Sequence, residues 1–176
     1  MIQVKDKTFK IFIGNSAIQK RVIEIGKQIS KDYAEKSPVI IGVLNGAYMF
    51  LSDLSKYITV PAEISFIKIS SYEGDSSTGK VKNIFGLGTN LENRHVLIVE
   101  DIVDTGLSMV HLLDQVREKN PASIKTVTLL HKPDALQHQV VLDYVGFEIP
   151  NKFVVGYGLD YDGFGRNIPE IYQLTT

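Results

Sequence analysis

Two stretches of the chain run through unbroken apolar residues into a polar turn, and each turn opens a segment with helical spacing. They are "VIIGVL" at 39–44, leading into "NGA", and "VLIV" at 96–99, leading into "EDIVDTG". A short continuous apolar run fits a strand covered on both faces, the condition of a parallel sheet with helices packed on each side. The flanking segments agree. Ile18, Val22, Ile25, Ile29 and Tyr33 recur at steps of four and three, one face of a helix, and Ser16 with Gln19 reads as a capping box at its start. Met109, Leu112, Leu113 and Val116 mark a helix that stops before Pro121, and "YMFLSDLSKYI" reads as another. "FKIFIG", "AEISFIKISSY", "SIKTVTLLHK", "YVGFEI", "KFVVGYGL" and a final "IYQL" read as strands. Strands alternating with helices predict an α/β domain around a mainly parallel sheet. With no repeat and no linker, residues 1–176 make one domain. Ligands of such sheets bind beyond the carboxyl ends of the strands, where loops 45–48, 100–108 and 132–134 fall.

Charge narrows the function classes. Nineteen basic against twenty acidic residues leave a net charge of −1, so no bulk positive field draws the protein to nucleic acid or an anionic membrane. Any recognition of phosphate must be local. The chain has no cysteine, its N-terminus "MIQVKDKTFK" lacks a signal-peptide core, and no apolar run is long enough to span a bilayer; the expectation is a cytoplasmic protein. From Glu73 to Asn93 the composition turns to Gly, Ser, Thr, Asn and charge, and "EGDSSTGK" has no periodicity, so this reads as a long mobile loop or hairpin arm.

The acidic turn after "VLIV" poses a problem of charge. Backbone N–H groups from Asp104 through Thr105, Gly106 and Leu107 to Ser108, with the Thr105 and Ser108 hydroxyls, suit a phosphate at a positive helix end. Glu100, Asp101 and Asp104 would repel that phosphate, and a helix cap accounts for only one of them. The conflict resolves if the carboxylates face ribose hydroxyls and a Mg²⁺ shared with a second, more anionic phosphate. A ligand with a phosphate, a diol and a diphosphate in line, such as 5-phosphoribosyl 1-diphosphate, meets both demands.

"VLIVEDIVDTGLS" resembles the signature of the phosphoribosyltransferases, and with "SY" at 71–72, "FEIPNKFVVGYGLDY" at 147–161 and Arg166 it is similar to the hypoxanthine-guanine branch. The resemblance implies the type I phosphoribosyltransferase fold, a parallel sheet flanked by helices with a small hood and a mobile loop. It implies transfer of the phosphoribosyl group to hypoxanthine or guanine, Mg²⁺ as cofactor, small-molecule substrates, and a homodimer or homotetramer. Glu100 and Asp101 match the pair that engages the ribose and metal, and Asp104 the acid that helps remove the proton of the base. Lys132 matches the donor to the exocyclic oxygen, Phe153 the stacking ring and Val154 a backbone contact. Asp160, on the purine side, matches a ligand to the metal that carries pyrophosphate. Asn45, Gly46, Ser71, Tyr72 and Arg166 match the pyrophosphate site, with a cis peptide expected between Leu44 and Asn45. Ser71 and Tyr72 start the loop expected to close over the site.

Two residues depart from that pattern. Asn45 stands where relatives often carry a basic side chain, and Leu107 replaces a polar or basic one, which leaves anion binding to backbone amides, Mg²⁺ and Arg166. Two alternatives stay open at the level of sequence. One is a preference for xanthine; the other is a nucleotide-responsive RNA-binding regulator of the same fold, disfavoured by Asp104 and by the near-zero charge. A P-loop is excluded because no Gly-Lys-Ser/Thr sequence occurs.

Overall fold

The unbroken apolar runs become the centre of a parallel sheet. The computed structural model describes residues 1–70, 82–86 and 88–175. Strand β3 (Val39–Leu44) lies between β4 (Glu63–Ser70) and β6 (His95–Val103), followed by β7 (Ser123–His131) and β8 (Tyr144–Glu148), all parallel. A short antiparallel strand, β5 (Lys82–Phe85), completes the order β5-β4-β3-β6-β7-β8. Successive strand residues face opposite sides, so one apolar run serves two cores. Val39, Ile41 and Val43 with Val96 and Ile98 pack on Met109, Leu112, Leu113 and Val116 of α3 (Leu107–Arg117). Ile40, Leu97 and Val99 pack on α1 (Asn15–Asp32) through Ile18, Val22, Ile25 and Ile29, and on Phe50, Leu51 and Leu54 of α2 (Tyr48–Ser55). Each such side chain gains roughly 2 kcal/mol on leaving water.

A second sheet forms the hood. Strands β1 (Ile2–Val4), β2 (Lys7–Ile13), β10 (Ile171–Leu174) and β9 (Val154–Val155) pair antiparallel in the order β1-β2-β10-β9. It joins the chain's two ends, and its own small core gathers Val4, Phe9 and Val155.

Several boundaries differ from the expectation. No capping box forms at α1: its N-cap is Gly14 without a side-chain bond, and Gln19 donates to Asp53 Oδ2 at 2.8 Å and to the Tyr157 hydroxyl at 3.4 Å. A charged acceptor on the neighbouring helix wins over the local turn. "KFVVGYGL" is a strand only at Val154–Val155, because Gly156, Tyr157 and Gly158 turn the chain with positive φ. The hairpin β1–β2 is longer than "FKIFIG" suggests, and β5 gives the polar stretch a paired arm. Residues 71–81, which include Ser71, Tyr72 and all of "EGDSSTGK", lie outside the described residues. Among the described residues no helix is long and apolar enough to cross a membrane.

Candidate active site

The carboxyl ends of β3, β6 and β7 bring the three expected loops together. Strand β6 runs three residues past Glu100, to Val103, so Glu100 and Asp101 are strand residues carried to the mouth of the site. Both border a cavity of about 300 Å³ with Val43, Leu44, Ile69, Ile102 and Ser108. A second cavity of about 110 Å³ is bordered by Asp104, Thr105, Gly106, Ser108 and Met109, and also by Glu100, Ile102 and Ser108 of the first. The two therefore adjoin, with Glu100 at the junction. The smaller one is the phosphate-sized turn. Gly106, at φ 85°, opens α3, and a side chain there would collide with the His138 carbonyl. The turn is clamped from outside by Gln137 and His138, whose N–H groups both donate to the Thr105 carbonyl at 3.0 Å. Leu107 N–H donates to the Thr105 hydroxyl at 3.5 Å, and Leu107 is 37% exposed.

Burial and the neighbouring charge of Asp101 hold the Glu100 carboxyl well above the usual carboxylate range. Two clustered carboxylates, with no ion-pair partner among the described residues, form an electrostatic deficit that a divalent metal would relieve, and oxygen donors are the ligands Mg²⁺ takes. Glu100 and Asp101 fit that ion. Asp160 does not join them: among the described residues no three His, Cys, Asp or Glu side chains gather as one metal site. Its Oδ1 pairs with Arg166 at 2.7 Å and its Oδ2 accepts the Gly163 N–H at 2.6 Å.

Lys132, just beyond the end of β7, is buried and answers the need of a buried ammonium for a partner. It donates to Asp104 Oδ2 at 2.9 Å, with the Lys132 side chain 8% and the Asp104 side chain 45% exposed. The two residues expected to read opposite ends of the purine thus meet across the rim. Phe153 is no core aromatic, for it is 43% exposed, while Val154 is buried and leaves only its backbone for contact.

Tight backbone contacts shape the far side. The Leu44–Asn45 peptide is cis, as the resemblance implies, and Asn45 is exposed. Gly46 lies against Asp101 so closely that a Cβ would overlap its carboxylate. Gly158 in turn abuts the Gly46 carbonyl, and its own carbonyl accepts from Arg166 Nη1 at 2.7 Å. Sequence reasoning misses Gly158; the Gly-Tyr-Gly spacing after a strand is the available signal. Nothing in the sequence marks the backbone of Gln137 and His138. A larger cavity, about 660 Å³, runs along α3 between Leu113, Arg117, Ser123 and Asp143. It shares no residue with the two acid-lined cavities.

Known proteins share this fold. The family described as "Phosphoribosyl transferase domain" matches residues 13–162. A hypoxanthine-guanine phosphoribosyltransferase of Bacillus subtilis (strain 168) is 45% identical over 163 residues, 92% of this chain and 91% of the relative. A protein of the same name from Streptococcus pyogenes serotype M3 is 42% identical over the same shares of each chain. The crystal structure of a Staphylococcus aureus hypoxanthine phosphoribosyltransferase superimposes with a TM-score of 0.86 at 39% identity, covering 94% of this chain and 91% of that one. The five parallel strands and flanking helices are the type I phosphoribosyltransferase fold. This chain belongs to the phosphoribosyltransferase family, with the hypoxanthine-guanine phosphoribosyltransferases.

Proposed function

We propose that the protein salvages purines by transferring the phosphoribosyl group of 5-phosphoribosyl 1-diphosphate to hypoxanthine or guanine, giving IMP or GMP and pyrophosphate. The observation that carries this reading is the pair of adjoining cavities joined at Glu100, with the Asp104–Lys132 pair on one rim. The 5′-phosphate takes the turn from Asp104 to Ser108, where amide N–H groups at the start of α3 replace its water. Glu100 and Asp101 then face the ribose hydroxyls and would hold Mg²⁺, whose charge offsets that of the diphosphate. Arg166 supplies a planar donor to the pyrophosphate, and Asn45 and Gly46 offer backbone N–H groups beside it.

The base stacks on Phe153 with its exocyclic oxygen toward Lys132. As the Lys132 ammonium turns to that oxygen, Asp104 is released to accept the proton of the five-membered ring. The bond from C1′ to the diphosphate oxygen breaks, the bond from the ring nitrogen to C1′ forms, and the proton rests on Asp104. A permanent donor at Lys132 disfavours adenine, whose amino group would meet it donor to donor. Asp160, which stands apart from Glu100 and Asp101, would ligate a metal that accompanies pyrophosphate, and Ser71 and Tyr72 would contact the pyrophosphate.

This setting is a cytoplasmic enzyme working as a homodimer or homotetramer. Ile64 and Phe66 on β4, 47% and 43% exposed, are side chains such an assembly would cover. The test is pyrophosphate release with hypoxanthine, guanine, xanthine and adenine, each with and without Mg²⁺. Turnover of the oxopurines should require Mg²⁺, and adenine should be poorer by about a hundredfold or more. Comparable use of adenine would remove the role given to Lys132, and no release with any oxopurine would overturn the reading.

A further inference from the structure

The turn of the β1–β2 hairpin reaches into the purine side of the site. Val4 pairs with Lys7, so Lys5 and Asp6 form a two-residue turn, and all three polar residues of "KDK" engage the segment after β9. Lys5 forms an ion pair with Asp162, and its ammonium lies 5.0 Å from the Phe164 ring centre. The Tyr161 hydroxyl donates to Asp6 Oδ1 at 3.0 Å. The Lys7 ammonium lies 4.5 Å from the centre of the Tyr161 ring and 5.8 Å from that of Phe153, within the range of cation–π attraction to both. The rings themselves meet edge to face, 5.8 Å apart at 85°. Beneath them Phe9, two residues beyond Lys7 and on the same face of β2, is fully buried, 6.3 Å from Phe153 and 6.4 Å from Tyr161.

From this arrangement we infer that Lys7 is a positioning residue for the purine: it fixes the Phe153 ring on which the base stacks. The inference rests on the reading of Phe153 as that stacking ring. A half-exposed phenylalanine at the end of a strand has a free face and a choice of rotamers. Phe9 limits it from below and Tyr161 from the edge, and Lys7 adds a cation shared by two rings set at right angles, attracted to the electron-rich face of each, which favours one arrangement of the pair. The ion pair of Lys5 and the hydrogen bond of Asp6 hold the hairpin in register, so the ammonium of Lys7 is delivered to one place. A ring ordered before the base arrives spares binding the cost of ordering it. In this reading Lys7 acts on the site through the Phe153 and Tyr161 rings, so its effect should fall on the base alone.

The test compares steady-state kinetics of the wild type, Lys7→Met and Lys7→Arg with hypoxanthine and with 5-phosphoribosyl 1-diphosphate varied in turn. Methionine keeps the length and apolar stem and removes the charge; arginine keeps the charge and stacks on rings. For Lys7→Met the hypoxanthine KM should rise about fivefold, a loss in the range of one partly exposed cation–π contact, while kcat and the donor KM stay within about twofold. Lys7→Arg should restore the hypoxanthine KM to within about twofold of the wild type. An unchanged hypoxanthine KM in Lys7→Met overturns the inference. So does a Lys7→Arg enzyme as poor as Lys7→Met, or a parallel loss of kcat and both KM values, which would mark Lys7 as a support of the hood only. A wild type that turns over no oxopurine refutes the functional reading instead, and the inference falls with it.

Discussion

Glu100 and Asp101 are adjacent acids of β6 at the mouth of the candidate site, and neither belongs to the apolar core. Burial and the neighbouring charge of Asp101 hold the Glu100 carboxyl well above its ordinary range, so in the free protein the pair is a cost that the proposed ligand would offset. Replacing Glu100→Gln together with Asp101→Asn should abolish measurable turnover and leave the melting temperature of the ligand-free protein unchanged or raised. A fall of several degrees would show that the acids support the core. Gly46 tests the same wall from the other side. A methyl group there would overlap Asp101 Oδ2, so Gly46→Ala must push the carboxylate away. Overpacking of this kind costs about 1–3 kcal/mol, and the displaced acid should lower kcat/KM for the donor about tenfold or more. Unchanged donor kinetics would mean that the Asp101 position is not critical. The residue types of this site were legible in the sequence, because three acids crowded before a Thr-Gly turn repel one another until a cation or a diol offsets them. The contact between Gly46 and Asp101 was not, because it joins residues far apart in the chain.

Among elements, helices α1 and α2 and the loop after β9 are fastened by one carboxylate. Asp53 Oδ2 accepts from Gln19 of α1 at 2.8 Å and from the Tyr157 hydroxyl at 2.6 Å, while its Oδ1 pairs with Lys56 at 2.7 Å. Burial alone would raise its pKa, yet the hydrogen bonds from Lys56, Tyr157 and Gln19 outweigh it and hold the carboxyl below its ordinary value. A carboxylate whose pKa is lowered by folding stabilises the protein above its unfolded pKa, about 3.9, and loses that contribution as the pH falls through the folded value. Asp53→Asn should therefore cost about 1–3 kcal/mol at neutral pH, and its difference from the wild type should shrink as the pH drops below about 4. Urea midpoints at the two pH values measure this; a gap independent of pH would assign the loss to shape, not charge. This latch explains why the capping box failed. Ser16 and Gln19 have the right spacing, but spacing records only local partners, and Asp53 lies 34 residues away. Helix α1 itself was legible because its apolar period depends on one face meeting the sheet, whatever the partner. The short strand β9 was overextended for the opposite reason: apolar residues continue past Val155, while the backbone turns at Gly156 to serve the site.

For the molecule as a whole, the question is whether the hood is a separate unit or part of one cooperative fold. Val154, Tyr157, Leu159 and Ile171 belong to the same buried cluster as Ile18, Val22, Phe50 and Leu54, so the hood's inner face is continuous with the core beneath the sheet. A fold with one continuous core should melt in a single transition. The proposed ligand site spans the same junction, since Asp160 and Arg166 come from the hood side and Glu100 to Ser108 from the sheet side. The donor with Mg²⁺ should therefore stabilise every part at once. At about one hundred times its Kd it should add about 2.7 kcal/mol, which in a chain of this length raises the melting temperature by about 5–10 °C. Mg²⁺ without the donor should shift it much less, because Glu100 and Asp101 alone would supply few ligands and the diphosphate would have to supply the others. Differential scanning calorimetry with the donor titrated at fixed Mg²⁺ measures both. Two transitions, only the later one moving with the donor, would show the hood to be energetically apart and would confine binding to the sheet.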